Sequence, residues 1–213
     1  MSDSSIRVLI ADDHAIVRQG LKAILADTED LVVTGEAENG VRALQLIRDG
    51  DYDVVLMDVN MPDRNGIDTL KLVKKEFPKL PVLMLSMHPE EQYAIRALKA
   101  GAAGYLSKQS APDLLVTAIR QVASGKKYVS ATLAEQLAEA ITEDDRPPHE
   151  RLSDREYQTL CMIASGKTLT QIGEELNLSV KTVSVYRARL LEKMKLKNNA
   201  ELTHYGLKHG LVE

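Results

Sequence analysis

Five residues of this sequence stand where their side chains can share one chemistry: Asp12, Asp13, Asp58, Ser86 and Lys108. Each comes at or just beyond the end of a short apolar run, and if those runs are neighbouring parallel strands, their carboxyl ends share one edge of a sheet. The three carboxylates then converge on one spot, joined by a hydroxyl and an ammonium. Crowded carboxylates repel and raise one another's pKa unless a cation sits among them, and a hard divalent ion with oxygen ligands is the natural occupant, magnesium fitting best. Such an ion neutralises an incoming phosphoryl group while a neighbouring carboxylate attacks phosphorus and the lysine and hydroxyl hold the remaining oxygens. Taken singly these residues are ordinary, since an Asp after a strand usually caps a turn or helix and a Lys is usually solvated. The ordered set carries the information. His14, beside the acids, reads as a packing or capping residue rather than a metal ligand.

The elements that must position this set are legible from periodicity. Short runs rich in Val, Ile and Leu alternate with segments of helical period, which predicts strands at Arg7 to Ala11, Leu31 to Gly35, Val54 to Met57, Val82 to Leu85 and Gly104 to Leu106. Between and after them, helices are expected at Ala15 to Leu25, Gly40 to Arg48, Gly66 to Glu76, Glu90 to Ala100 and Pro112 to Ala123. This is an α/β pattern, (βα)5, implying a doubly wound parallel sheet over residues 1–123. Residues 124–150 read as a linker. It contains a short amphipathic helix at 132–141, with Leu133, Leu137 and Ile141 on one face, then a polar, acidic tether carrying Pro147 and Pro148.

From Leu152 the pattern is helical only, giving an all-α unit over 151–213. Ser153 and Glu156 form a capping box opening a helix that ends near Gly166; a second helix follows at about Thr170 to Leu176. The turn Asn177-Leu178-Ser179 then leads into a third helix, Val180 to Met194, the layout of a helix-turn-helix whose later helix enters the DNA major groove. At 100° per residue, Val183, Leu190 and Met194 face the core, while Lys181, Ser184, Val185, Ala188 and Arg189 face outward or to the flank. Val185 suits a thymine methyl, Ser184 and Lys181 suit base edges or phosphate, and Arg187, Arg189 and Lys193 can reach the DNA backbone.

IADDH at 10–14, LMDVNMPDRNG at 56–66, Ser86 and GYLSK at 104–108 together resemble the receiver domain of two-component response regulators, over nearly all of residues 5–123. The segments LSDREYQTLCMIASGKT, QIGEELNLSVKTVSVYRARLLEKM and NNAELTHYGLKHGLV resemble the LuxR-type C-terminal domain of the NarL/FixJ regulators, over 151–212. The resemblance implies that Asp58 accepts a phosphoryl group from a sensor histidine kinase. It also implies that Asp12, Asp13, Asp58 and the backbone carbonyl of Asn60 bind Mg2+, that Lys108 pairs with the phosphoryl oxygens, and that Ser86 and Tyr105 form a switch pair. Val180 to Met194 becomes the recognition helix, with Lys181, Thr182, Ser184, Val185, Arg187, Ala188, Arg189 and Lys193 toward DNA. The last helix, about Ala200 to His209, becomes a homodimer contact through Leu202 and Tyr205.

Three departures from common family patterns stand out. Gln109 replaces the cis-proline of many receivers, so that bond is expected trans; Met87 and His88 are bulkier than the usual residues after the switch hydroxyl; and Ser184 stands where some relatives have lysine.

Charge is distributed to match. Residues 1–147 hold 17 Lys and Arg against 23 Asp and Glu, residues 148–213 hold 10 against 8, so only the second part suits a polyanion. The apolar runs are too short to span a bilayer and the first residues lack the basic start and long apolar stretch of a secretory signal, so no membrane association and a cytoplasmic location are expected. The single cysteine, Cys161, reads as a buried inert thiol. Phosphoryl transfer that controls dimerisation, DNA binding and transcription is the leading expectation, with no turnover enzyme activity. A hydrolase working through an aspartyl-phosphate would need a general acid two residues after the nucleophile, where Asn60 stands. A regulator that binds constitutively with a vestigial acid pocket is the third reading.

Overall fold

In this computed structural model the described residues are 5–62, 64–87, 90–130, 133 and 147–212, residues 90–92 by their backbone alone. The chain divides into two compact units, Met1–Leu137 and Ala138–Glu213.

The first unit alternates strands and helices: β1 (Ile6–Ala11), α1 (Ala15–Ala26), β2 (Leu31–Ala37), α2 (Gly40–Asp49), β3 (Val54–Asp58), α3 (Gly66–Glu76), β4 (Val82–Ser86), α4 (Glu90–Lys99), β5 (Gly104–Ser107) and α5 (Pro112–Ala123). The five strands are parallel in the order β2-β1-β3-β4-β5. Strand order therefore reverses between β1 and β3, and the carboxyl ends of those two strands open the crevice where such sheets place their ligands. β3 and β4 are buried at every position, as a two-faced covered sheet requires. Val8, Ile10, Leu56, Leu83 and Leu85 pack against Leu115, Ile119 and Val122 of α5 in one apolar cluster.

Local chemistry sets the helix starts. The Asn39 and Asn65 side chains accept from the amides of Arg42 (2.8 Å) and Asp68 (2.7 Å), opening α2 and α3, and Pro112 with Asp113 occupies the first turn of α5. β2 runs to Ala37, past the expected Gly35, because β1 pairs with it along its full length, after a register shift between Val8 and Leu9. Asp58 and Ser86 are the last residues of their strands rather than the first beyond them. After α5 the chain returns to the sheet, where Tyr128 bridges Gly104 in parallel and donates its amide to the Ala103 carbonyl at 2.9 Å. The helix expected at 132–141 lies outside the described residues except for Leu133, which is helical and buried.

The second unit contains α6 (Asp154–Ala164), α7 (Leu169–Leu176), α8 (Val180–Met194) and α9 (Asn199–Lys208). Pro148–Arg151 forms a 3-10 turn, a correction to the tether expected there; Pro147 and Pro148 pre-set the backbone for it. Leu160, Ile172, Val183, Leu190 and Leu202 are fully or almost fully buried and form the centre of this unit.

Candidate functional site

The register of the sheet assembles the acidic pocket. Ala11 pairs with Met57, so Asp12 at the end of β1 lies beside Asp58 at the end of β3; Ser86 pairs with Ser107, which sets Lys108 one residue beyond. The Lys108 amide donates to the Ser86 carbonyl at 2.7 Å and fixes the start of the loop, and the bond to Gln109 is trans. From there the Lys108 ammonium reaches back over the edge to both acids, 2.6 Å from Asp12 Oδ2 and 2.9 Å from Asp58 Oδ2. Asp12, Asp58 and Ser86 are buried, so these charges interact in a poorly screened environment.

Burial raises the Asp58 carboxyl to about 6, the Asp12 charge adding to the effect, while the Lys108 ammonium and the Asn60 amide that donates to this carboxylate work against it. Lys108 shows the reverse balance: burial weakens its proton, but Asp58 and Asp12 together hold it above its ordinary value.

The remaining donors form a ring. Oxygen or nitrogen ligand atoms of Asp12, Asp13, His14 and Asp58 all lie within 4.8 Å of one another. Asp12 Oδ2 and Asp13 Oδ1 are buried and receive no well-directed hydrogen bond; Lys108 Nζ lies 2.6 Å from the first and His14 Nδ1 2.9 Å from the second. Three carboxylates with under-satisfied buried oxygens fit a hard, oxygen-seeking divalent cation. The His14 side chain is largely exposed; its backbone, not its ring, serves α1, the amide donating to Asp12 Oδ1 at 2.9 Å. Ser86 and Tyr105 are both completely buried, on neighbouring strands β4 and β5.

Two supports of this pocket were not singled out from the sequence. Arg18, one helical turn after His14, donates from Nη1 to the Asp12 carbonyl at 2.7 Å, and so ties the acidic loop to α1. Its spacing, i+4 from His14 on a helix that starts at the pocket, is the available signal. Gly66, the first residue of α3, packs against the end of β3 so closely that a β-carbon there would lie 1.9 Å from the Asp58 carbonyl oxygen. The motif residue Asn65, itself buried, caps the same helix.

In the second unit, α7 and α8 meet through the turn at Asn177, whose φ of 54° ends α7 in the left-handed region. Leu178 donates its amide to the Gly173 carbonyl at 2.8 Å, and a β-carbon on Gly173 would lie 2.7 Å from the Leu178 carbonyl, so the tightness of this turn depends on glycine. Ser179 caps α8, accepting from the Thr182 amide at 3.1 Å with the Thr182 hydroxyl 2.8 Å away. Val183, Leu190 and Met194 are buried, and Lys181, Ser184, Val185, Ala188 and Arg189 are exposed. Val185 is 44% exposed, an apolar residue among polar ones on the outward face.

Two assignments made from sequence change here. The Lys193 ammonium, placed toward DNA by sequence, instead donates to Glu156 Oε2 at 2.6 Å, because that buried carboxylate, which also accepts from the Ser153 amide at 2.8 Å, needs a cation. Leu202 is completely buried and serves the core of the unit, so it has no surface to offer a second copy. The exposed apolar residue of α9 is Leu207, at 53%. Tyr205 is half-buried, its hydroxyl 2.8 Å from His149 Nδ1 and its ring stacked on His209 at 4.2 Å between centroids. Arg187 is held by the Asn199 side chain at 2.6 Å.

Residues 8–120 match the model of the response regulator receiver domain, and residues 150–206 that of bacterial regulatory proteins of the luxR family. The response regulator UvrY of Escherichia coli K12 is 40% identical over 208 residues, covering 97% of this chain and 95% of the relative. Salmonella enterica serovar Typhimurium RcsB bound to the promoter rprA in the presence of the phosphomimetic BeF3- is 29% identical with a TM-score of 0.65, covering 95% of this chain and 98% of that one. A structure of two RcsB dimers bound to two parallel DNAs is 30% identical with a TM-score of 0.60, over the same shares. No helix among the described residues is long and apolar enough to cross a membrane.

Proposed function

Because the chain belongs to the two-component response-regulator family of NarL/FixJ type, pairing a receiver domain with a LuxR-type DNA-binding domain, we propose that phosphoryl transfer from a sensor histidine kinase to Asp58 controls its dimerisation and its sequence-specific binding to double-stranded DNA. One observation carries this reading: the Lys108 ammonium joins buried Asp12 and Asp58 at a site that Asp13 and His14 also border. An Asp58 oxygen forms the new bond to phosphorus as the P–N bond of the kinase phosphohistidine breaks; with the other ring nitrogen of that histidine protonated, an acyl phosphate is left on this chain and a neutral imidazole on the donor. Asp12, Asp13, Asp58 and the backbone carbonyl of Asn60 would hold Mg2+, which would supply positive charge against the phosphoryl oxygens. Lys108 gives up one carboxylate oxygen of Asp58 and pairs with the phosphoryl group instead, and Ser86 with Tyr105 reads the change. The phosphoryl group stays on the chain's own aspartate, so the protein is a switch rather than a turnover enzyme.

Residues 1–123 form the receiver, 124–150 the linker and 151–213 the output domain, which works in the cytoplasm. Lys181, Ser184, Val185, Ala188 and Arg189 face DNA, Thr182 supports the start of the recognition helix, and Arg187 reaches a backbone phosphate once released by Asn199. The dimer forms on α9 through Leu207 and Tyr205. Two weakly basic domains joined in one dimer gain affinity through effective concentration.

The test is phosphorylation of the full chain by a small-molecule phosphodonor with Mg2+, followed by intact mass and DNA footprinting. The wild type is expected to gain one phosphoryl group and to occupy its sites at lower concentration; Asp58→Asn is expected to do neither. A variant that still gains the group, or DNA occupancy indifferent to it, overturns the reading.

A further inference from the structure

At the opposite edge of the receiver sheet from Asp58, a cavity of about 320 Å³ opens among the end of α3, the loop into β4, the loop into β5 and the segment after α5. Four lysines line it: Lys74, Lys79, Lys126 and Lys127. No acid is among the lining residues, in a part of the chain where acids outnumber bases 23 to 17. Among the described residues none of the four pairs with a carboxylate. Glu76, the acid nearest to Lys74 in sequence, is committed to Arg48 through two hydrogen bonds of 2.7 and 2.5 Å.

Two of these ammonium groups are fixed in place. Lys74 lays its stem against Gly101 and donates to the Leu80 carbonyl at 2.6 Å and the Pro78 carbonyl at 3.4 Å; Lys127 donates to the Ala102 carbonyl. Each ammonium has three donors, so the carbonyls leave capacity unused, on Lys127 most of all. Lys79, Lys126 and Lys127 are exposed, and Lys74 is half-buried beside them. Like charges held together in a partly desolvated pocket are costly, and a multiply charged anion relieves the cost while using the spare donors. The Lys74 ammonium is already pushed below its ordinary value by burial and by Lys127.

We propose that this lysine pocket binds a compact oligophosphate anion, of the size of pyrophosphate or tripolyphosphate, at a site separate from the acidic pocket. Four lysines with no carboxylate partner around one small cavity favour two or more linked phosphates over a single one, and the cavity sits inside one domain, so it is complete in the monomer.

Calorimetric titration of the full chain with inorganic pyrophosphate tests this, in magnesium-free buffer at constant ionic strength. One submillimolar site per chain is expected, with movement of the Gly101 and Gly125 amide resonances. The double variant Lys79→Gln with Lys126→Gln keeps the carbonyl contacts of Lys74 and Lys127, so it should melt normally yet bind roughly tenfold or more weakly, the loss ordinary for charge-assisted hydrogen bonds. Lys181→Gln with Arg189→Gln, on the recognition helix, should bind as the wild type does. Absence of a submillimolar site, unchanged affinity in the Lys79 and Lys126 variant, or loss in the helix variant each overturns the proposal.

Discussion

Lys108 Nζ lies 2.9 Å from Asp58 Oδ2 while also contacting Asp12 at 2.6 Å, so one ammonium stands between two buried carboxylates on adjacent strands. Removing it with Lys108→Ala leaves the pair to repel and drives the Asp58 carboxyl further up. The initial rate of acyl-phosphate formation from a small phosphodonor should fall by on the order of a hundredfold, as when one aimed electrostatic donor is lost from a site. A rate equal to wild type would remove Lys108 from the chemistry.

Asp58 also sets a pH dependence in the metal-free protein. Its folded value, about 6, lies above the ordinary 3.8, so the folded state binds its proton more tightly than the unfolded chain does. That stabilisation is complete below 3.8 and is lost as pH rises through about 6, an effect of up to about 3 kcal/mol at about 1.4 kcal/mol per unit. Asp58→Asn should therefore flatten the decline and be the more stable protein above this window in chelator. Denaturant melts at several pH values read this directly; parallel curves for the two proteins would contradict it.

Glu156 works with the opposite sign. Burial pushes its carboxyl up, but the hydrogen bond from Lys193 and those from the Ser153 amide and hydroxyl outweigh it and hold it below its ordinary 4.5. Its contribution is present above that value and lost as pH falls through the folded one. Glu156→Gln weakens the cap and leaves Lys193 without a counter-charge, which should cost about 1–3 kcal/mol at neutral pH. Lys193→Gln should also destabilise the domain, whereas a pure DNA contact would leave its melting unchanged.

On the outward face of α8, Lys181→Ala should weaken binding to all sequences and lower the dependence of log affinity on log salt by about one phosphate contact. Val185→Ala should instead act on sequence preference, costing about 1 kcal/mol at one A·T position and little elsewhere. Binding titrations at several salt concentrations on matched and substituted sites separate the two.

In α9 the two leucines should part company. Leu202→Ala empties a completely buried position and should destabilise the domain by about 2–5 kcal/mol. Leu207→Glu alters an exposed position and should leave melting intact while weakening self-association of the phosphorylated protein in sedimentation.

Much of this was legible in the chain because each level of pattern agreed. Apolar runs gave all five strands within a residue or two, and the order of Asp12, Asp13, Asp58, Ser86 and Lys108 along those strands brought the five to one edge, as the pairing of Ala11 with Met57 and Ser86 with Ser107 makes concrete. Helical angles separated the buried from the exposed side of α8 correctly. What stayed hidden depended on partners distant in sequence. Nothing near Lys193 says that Glu156, 37 residues earlier, sits buried and needs its charge. Leu202 satisfied the pattern of an anchor, yet one apolar residue on a short helix does not reveal whether core or solvent takes it. The lysine pocket is similarly silent, because its four members come from the end of α3, the loop into β4 and the segment after α5, which only the fold brings together.

The contact between Gly66 and the main chain of Asp58 has a mechanical consequence. A β-carbon at position 66 would overlap the Asp58 carbonyl oxygen, at 1.9 Å, and the Gly66 amide is bonded to Val59 at 2.9 Å, so no slack separates the end of β3 from the first turn of α3. Any side chain at position 66 would therefore force the start of α3 away from the residue that precedes Val59, so the spacing between helix and strand end is set by a missing methyl group.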